Sequence, residues 1–139
     1  MSKIWINGCF DIVHVGHLRM FQYAKSLGKE LRVGIDSDMR VKSLKGDDRP
    51  VFSQQERKYF LEGLECIDSV VIYDTADEMV SLIKDYEPDL MVVGDDYRNK
   101  PVVGEEFSRA VAFYKKHKGY STTRIIDQIT LDKIYETSQ

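Results

Sequence analysis

The sequence has little net charge and few cysteines. Its 20 basic and 23 acidic residues leave a formal net charge of −3, so no overall basic field favours nucleic acid as a partner. The two cysteines, Cys9 and Cys66, have no metal-ligand spacing, and so small a set does not indicate a disulfide framework. Free thiols are typical of a reducing compartment, and we therefore expect a cytoplasmic protein.

Long hydrophobic runs are also missing. No segment approaches the roughly 18 apolar residues that a membrane-spanning helix needs, and no apolar region typical of a signal peptide opens the chain. We therefore expect no membrane as a partner. With 139 residues, of which 42% are hydrophobic and 31% charged, the composition is that of a globular protein. The length suits one domain over residues 1–139.

Two common catalytic motifs are absent as well. The chain lacks the Gly-x-Ser-x-Gly elbow of serine hydrolases and the Gly-x-x-x-x-Gly-Lys loop of P-loop kinases. No spacing indicates a nucleophile paired with a base. A site built of hydrogen-bond donors without a nucleophile suits direct in-line displacement at phosphorus, in which the protein orients reactants and stabilises developing charge.

Strand-like and helix-like segments alternate along the chain. Strands are predicted at 3–7, 31–35, 68–73 and 90–94, and helices at about 18–27, 53–64 and 76–86. A last strand is expected near 109–114, although 105–116 also fits a helix, and residues 121–123 are expected to cap a closing helix. Residues 39–50 have no regular pattern. This order predicts an α/β fold, a Rossmann-like doubly wound parallel sheet of about five strands with helices on both faces.

Two histidines follow the first predicted strand. His14 and His17 occur where a strand that ends at Gly8 passes into a helix. Backbone amides at such a helix start bind phosphate, and residues three apart lie on one helix face. The alternative is a purely structural helix cap, but His is not a favoured N-cap residue. The pattern therefore predicts a phosphate site with two imidazole donors.

Other polar residues lie where further ligand contacts are expected. In a doubly wound sheet, ligands bind at the carboxyl ends of the strands. Asp95 and Asp96 follow the fourth strand and could hold a sugar hydroxyl or a metal ion, although a plain polar turn explains them equally well. The Ser-Thr-Thr run at 121–123 offers hydroxyls and amides to phosphate oxygens. Lys45 could reach over a polyphosphate, its alternative being a solvated surface lysine.

In their order, these motifs resemble those of the cytidylyltransferase-like nucleotidyltransferases. The resemblance covers nearly the whole chain and rests on Gly8-Cys9-Phe10-Asp11, His14-Val15-Gly16-His17, residues 42–51, Glu56-Arg57, Gly94-Asp95-Asp96-Tyr97 and Ser121-Thr122-Thr123. Residues 44–51 and 119–126 are most similar to adenylyltransferases that act on heptose 1-phosphate. The Gly-Asp-Asp-Tyr turn is closer to the Gly-Asp-Asp-Trp of glycerol-3-phosphate cytidylyltransferases.

The resemblance implies a reaction and a set of site residues. A nucleoside monophosphate would pass from a nucleoside triphosphate, with Mg²⁺, to a small phosphorylated acceptor, and a homodimer is typical. ATP with heptose 1-phosphate is the first expectation, and CTP with glycerol 3-phosphate is the alternative. The implied catalytic residues are His14, His17 and Lys45. The implied nucleotide contacts are Gly8, Cys9, Phe10, Asp11, Gly16, Asp95, Ser121, Thr122 and Thr123, and the implied acceptor contacts are Lys42, Arg57 and Asp96. For Arg57 a structural ion pair is the alternative.

Two other classes of function are weighed against this one. A nucleotide-binding module without chemistry would use the same residues, although the occupation of every expected site position disfavours it. Aminoacyl-transfer enzymes use a related His-x-Gly-His loop. We rank that class last, because the chain has no room for an anticodon-binding domain and no basic face for tRNA.

Overall fold

The computed structural model describes residues 2–115 and 125–130. Within these residues the chain forms five strands, β1 (Lys3–Gly8), β2 (Glu30–Asp36), β3 (Ser69–Tyr73), β4 (Leu90–Gly94) and β5 (Ala110–Tyr114). Between the strands lie four α-helices, α1 (Val15–Ser26), α2 (Asp38–Lys45), α3 (Gln54–Glu62) and α4 (Ala76–Tyr86). Residues 125–130 are also helical. None of these described helices has the length and apolar character to cross a membrane.

The five strands form one parallel sheet in the order β3-β2-β1-β4-β5. This confirms the predicted doubly wound α/β sheet, whose strand order reverses between β1 and β4. The β1–β4 ladder has only two residue pairs, Ile4 with Leu90 and Trp5 with Met91, whereas the β1–β2 ladder has six. Because β1 and β4 are unpaired towards their carboxyl ends, a crevice opens there.

Helices cover both faces of the sheet, as predicted. On one face Ile4 and Ile6 pack in a core cluster with Phe21 and Ala24 of α1 and with Leu61 of α3. On the other face Trp5 packs in a cluster with residues of α4, Met79, Ile83 and Tyr86. Side chains of successive strand residues point to opposite faces, so the run Ile-Trp-Ile in β1 supplies both cores.

Two ambiguous segments are now assigned. Residues 110–114 form β5, so the alternative of a helix over 105–116 is wrong. Residues 39–50 were expected to be irregular, which is wrong for their first half, where α2 begins after the N-cap Ser37. The helix buries only Val41, and one buried residue produces no helical periodicity in the sequence. The predicted Ser-Thr-Thr cap lies outside the described residues.

Candidate functional site

A cavity of about 480 Å³ lies at the carboxyl edge of the sheet, where β1 and β4 separate. Strands β1 to β4 each contribute residues to its wall, namely Asn7, Gly8, Asp36, Tyr73, Val93 and Gly94. Beyond the strands, the polar lining includes His17 of α1, Arg40 and Lys45 of α2 and Arg49 of the next loop. A larger cavity of about 700 Å³ is lined mainly by apolar side chains. The chemistry of the smaller cavity, with cations and free strand ends, fits an anionic ligand.

The two histidines form the N-terminal cap of α1. His14 is the N-cap residue, and its Nδ1 accepts a hydrogen bond of 3.0 Å from the backbone N–H of Gly16. The Nδ1 of His17 accepts one of 3.2 Å from the backbone N–H of His14. This reciprocal arrangement is a capping box in which histidine replaces the usual Ser/Thr and Glu/Gln. The two histidines therefore do cap the helix, as the structural alternative held, and the cap has a chemical consequence.

The capping bonds determine the tautomer of both imidazoles. A neutral imidazole whose Nδ1 accepts a hydrogen bond carries its proton on Nε2, so each ring has its N–H at Nε2. The rings stack with centroids 3.8 Å apart and planes at 24°. Burial lowers the pKa of His14 below its ordinary value, and two stacked positive charges would repel each other. The neutral form of His14 is thus favoured at neutral pH.

The core holds the histidine pair in position. The ring of His17 contacts the edge of Phe10, with centroids 5.3 Å apart, and Phe10 in turn contacts Phe21 at 5.0 Å. Phe10 is 6% exposed and has a φ of 50°, in the left-handed region. That φ is uncommon for a bulky residue and marks a turn held by its surroundings. Position 10 therefore contributes a buried ring as well as the backbone that the sequence motif implied.

Asp11 anchors the segment that follows α2. Its carboxylate is 0% exposed and accepts hydrogen bonds from the backbone N–H groups of Val51 and Phe52 and, at 2.9 Å, from Nε of Arg49. Burial alone would raise the pKa of this carboxyl group, but the two backbone bonds and Arg49 outweigh burial and hold the pKa below its ordinary value. Asp11 therefore has the geometry of a residue that positions the loop at 49–52.

Arg57 is buried and connects several elements through hydrogen bonds. The residue is 2% exposed, and its guanidinium donates to the carbonyl oxygens of Cys9 (2.9 Å), Asp36 (2.7 Å) and Phe52 (3.0 Å). It also pairs with Asp38 Oδ1 at 2.8 Å. These bonds join α3 to the ends of β1 and β2 and to α2. The geometry favours the structural ion pair over the acceptor contact that the resemblance implied for Arg57.

The predicted site residues can be divided into those that line the cavity and those that do not. Gly8, Cys9, Phe10, Asp11, His17 and Lys45 all line the cavity, and the ring of His14 stacks on that of His17. Burial raises the pKa of the Cys9 thiol, which therefore stays protonated. Outside the lining lie His14, Gly16, Lys42, Asp95 and Asp96, of which Lys42 and Asp96 are exposed. The Asp95 carboxylate accepts from Nε of Arg98 at 2.9 Å. Ser121, Thr122 and Thr123 lie outside the described residues.

Several cavity residues were not singled out from the sequence. Nε of Arg40 pairs with Asp36 Oδ1 at 3.1 Å, and its guanidinium lies 5.7 Å from the ring of Tyr73. Burial and the neighbouring Asp36 carboxylate raise the pKa of the Tyr73 phenol. Asp36 and Tyr73 are the last residues of β2 and β3, so the rule that ligands bind at carboxyl strand ends could have indicated them. Arg49 has no comparable local signal.

Comparison with known proteins gives three results. A family model described as cytidylyltransferase-like matches residues 5–128. The chain is 44% identical over 126 residues to "Bifunctional protein HldE" of Helicobacter pylori (strain Shi470), covering 91% of this chain and 27% of the relative. It is 49% identical over 128 residues to the protein of the same name from Campylobacter fetus subsp. fetus (strain 82-40), covering 92% of this chain and 28% of the relative.

The chain therefore spans about a quarter of the length of these curated relatives, 27% and 28% respectively. Among solved structures, it resembles the lipopolysaccharide core biosynthesis protein from Thermoplasma volcanium GSS1, with a TM-score of 0.68 and 24% identity. The match covers 83% of this chain and 98% of that one. At this identity the likeness shows a shared fold.

Proposed function

The chain belongs to the cytidylyltransferase-like family, and on that premise we propose that it is a nucleotidyltransferase. It transfers a nucleoside monophosphate from a nucleoside triphosphate to a small phosphorylated acceptor and releases pyrophosphate. The observation that carries this proposal is the histidine cap of α1, which directs Nδ1 of both rings into the helix. Each ring then carries its proton on Nε2 at the start of α1, beside a cavity lined by His17 and Lys45.

The reaction requires little acid–base chemistry from the protein. An oxygen of the acceptor phosphate attacks the α-phosphorus, a new P–O bond forms, and the bond to pyrophosphate breaks. Because the attacking oxygen is already anionic, no general base has to remove a proton. The imidazole donors and the Lys45 ammonium stabilise the charge that builds on the phosphoryl oxygens. Holding both substrates in line supplies the rest of the acceleration.

We propose ATP and heptose 1-phosphate as the substrates, with ADP-heptose as the product. The runs at 44–51 and 119–126, which resemble heptose 1-phosphate adenylyltransferases, support this choice. The relatives named "Bifunctional protein HldE" are consistent with a longer chain that combines two activities, of which this chain would carry the nucleotidyl transfer. The Gly-Asp-Asp-Tyr turn at 94–97 favours the second candidate, CTP with glycerol 3-phosphate.

A substrate panel tests the proposal. Pyrophosphate release is measured with each of the four nucleoside triphosphates, crossed with heptose 1-phosphate and glycerol 3-phosphate. We expect the highest kcat/KM for ATP with heptose 1-phosphate. Calorimetry with the same nucleotides runs in parallel. Nucleotide binding without pyrophosphate release in any combination would instead identify a non-catalytic nucleotide-binding module.

Mg²⁺ is proposed to enter with the triphosphate and to neutralise its charge. Among the described residues, no three His, Cys, Asp or Glu side chains are grouped so that they could hold a metal ion. Mg²⁺ commonly keeps several waters and is bound through one or two carboxylates and the substrate's phosphates, so its role here does not require such a group. Chelation with EDTA in the panel should abolish pyrophosphate release, and full activity under EDTA would contradict this role.

We also propose that residues 1–139 form one catalytic domain that works as a homodimer. An apolar patch suits the contact. Phe52, Tyr59 and Phe60 are 44%, 83% and 54% exposed beside the larger cavity, and exposed apolar patches of this kind mark protein interfaces. Light scattering should give twice the chain mass for the wild type and the single mass for Tyr59→Glu. The matched control is Met39→Glu, which alters an exposed apolar side chain outside the patch. A monomeric wild type would refute the dimer.

For its location we propose the cytoplasm, where nucleoside triphosphates are made and used. The thiols of Cys9 and Cys66 are free, as is typical in a reducing compartment. Cell fractionation tests this proposal, and recovery of the protein outside the cytoplasmic fraction would contradict it.

A further inference from the structure

One donor in the cavity wall has no partner. Among the described residues, Nη2 of Arg49 is the one buried side-chain nitrogen or oxygen without a hydrogen bond. Buried polar groups are nearly always hydrogen-bonded, and an unpaired one needs an explanation. A charged donor without a partner is among the most costly groups to bury. The position of Arg49 in the cavity lining supplies the explanation.

The rest of the Arg49 side chain is fixed. Nε donates to Asp11 Oδ2 at 2.9 Å, and the side chain is 12% exposed. The same carboxylate accepts hydrogen bonds from the backbone N–H groups of Val51 and Phe52, so it also fixes the segment that follows Arg49. A planar guanidinium held through Nε has its Nη groups in fixed directions. Arg49 is therefore oriented before any ligand arrives.

The surroundings of Arg49 favour an anionic ligand. Lys45 and His17 line the same cavity. The two carboxylates that also line it are already engaged, because Asp11 accepts from Arg49 and from two backbone N–H groups, and Asp36 accepts from Arg40. An added anion would thus meet the Lys45 ammonium and Nη2 of Arg49, while the neighbouring carboxylates already accept hydrogen bonds. Phosphoryl oxygens form short, charge-assisted hydrogen bonds with arginine.

We propose that Nη2 of Arg49 binds a non-bridging phosphoryl oxygen of a substrate in this cavity. The inference rests on the proposed function and adds a substrate-binding residue to it. Two phosphoryl groups share this chemistry, that of the nucleoside triphosphate and that of the phosphorylated acceptor. Loss of Nη2 weakens the binding of the substrate whose oxygen it contacts and leaves the binding of the other substrate unchanged. The two sources can therefore be distinguished.

The experiment compares the full-length wild type with Arg49→Lys and Arg49→Gln. Lysine retains a cation for Asp11 but lacks the second, directed donor, whereas glutamine lacks the charge as well. Calorimetry gives Kd for ATP and CTP, steady-state kinetics gives KM for each substrate, and thermal unfolding gives Tm. For Arg49→Lys we expect Kd or KM of one substrate to rise about 10- to 100-fold, with Tm close to the wild-type value. A rise in Kd for nucleotide identifies the triphosphate, and a rise in KM for acceptor alone identifies the acceptor phosphate.

Arg32→Lys is the matched control. Arg32 is also a half-buried arginine whose Nε makes one side-chain hydrogen bond, to Ser69 Oγ at 2.9 Å, and it lies outside the cavity lining. We expect unchanged Kd and KM for this variant. If Arg49→Lys also keeps wild-type Kd and KM, or if it lowers only Tm, Arg49 is merely the structural partner of Asp11 and the inference is wrong.

Two further measurements keep the test decisive. Should both variants fail to fold, the guanidinium ¹⁵N signals of Arg49 in the wild type are followed by NMR during titration with ATP, CTP and inorganic phosphate. A shift on titration supports the contact, and no shift with any of the three refutes it. Should the wild type release no pyrophosphate in any combination, the proposed function fails, but the nucleotide and phosphate titrations still decide the role of Arg49.

Discussion

Replacing His17 with glutamine is expected to lower kcat by about 10²- to 10³-fold with little change in the free energy of unfolding. Glutamine is a usual residue at the third position of a capping box, and its side-chain oxygen can accept the hydrogen bond that His14 N–H now donates to Nδ1 of His17. The helix cap is kept, and the imidazole ring with its N–H is replaced by an amide. The measurements are the rate of pyrophosphate release under saturating substrates and the midpoint of denaturant unfolding.

His14→Asn is the companion variant. Asparagine is among the most favoured N-cap residues, so it can accept from Gly16 N–H as Nδ1 of His14 does while removing the imidazole. The alanine variants at both positions lose the cap and the donor together, and should cost about 1 kcal/mol of stability in addition to the activity. Near-normal turnover in either cap-preserving variant would limit the histidines to a structural role and remove the main support for the proposed reaction.

Arg57→Met should produce the largest loss of stability, about 3–5 kcal/mol. The residue is 2% exposed, and its guanidinium makes hydrogen bonds to three backbone carbonyls and to Asp38. Methionine fills part of the volume but leaves the carbonyl oxygens of Cys9, Asp36 and Phe52 without this donor. Activity should fall as the folded fraction falls.

The control for Arg57 is an exposed ion pair. Arg98→Met breaks the pair with Asp95, whose side chains are 60% and 42% exposed, and exposed pairs contribute about 0–1 kcal/mol. Denaturant unfolding of both variants against the wild type measures the difference. Equal, small effects at positions 57 and 98 would mean that the Arg57 hydrogen bonds do not stabilise the junction of α3 with the sheet.

The sheet and the position of the histidines at the start of α1 could be predicted from the sequence, because both depend on local patterns. Apolar runs of strand length and the His-Val-Gly-His spacing are contained within a few residues, and each has a direct physical meaning. Helix α2 was missed because it buries only Val41. The roles of Arg49 and Arg57 depend on contacts with Asp11 and Cys9, which are 38 and 48 positions away in the chain. Such pairings form only when the chain folds, so the local sequence around either arginine does not reveal its partner.

The histidine cap also determines at which step the side-chain entropy of the site is lost. A free histidine side chain samples several rotamers, and restricting them costs free energy at whichever step imposes the restriction. Here both rings are restricted by hydrogen bonds that form with the first turn of α1 and by their mutual stacking. The ordering therefore takes place during folding and is complete before a nucleotide arrives. Binding is spared that entropic cost, and the histidine donors do not need to reorganise as charge develops at phosphorus.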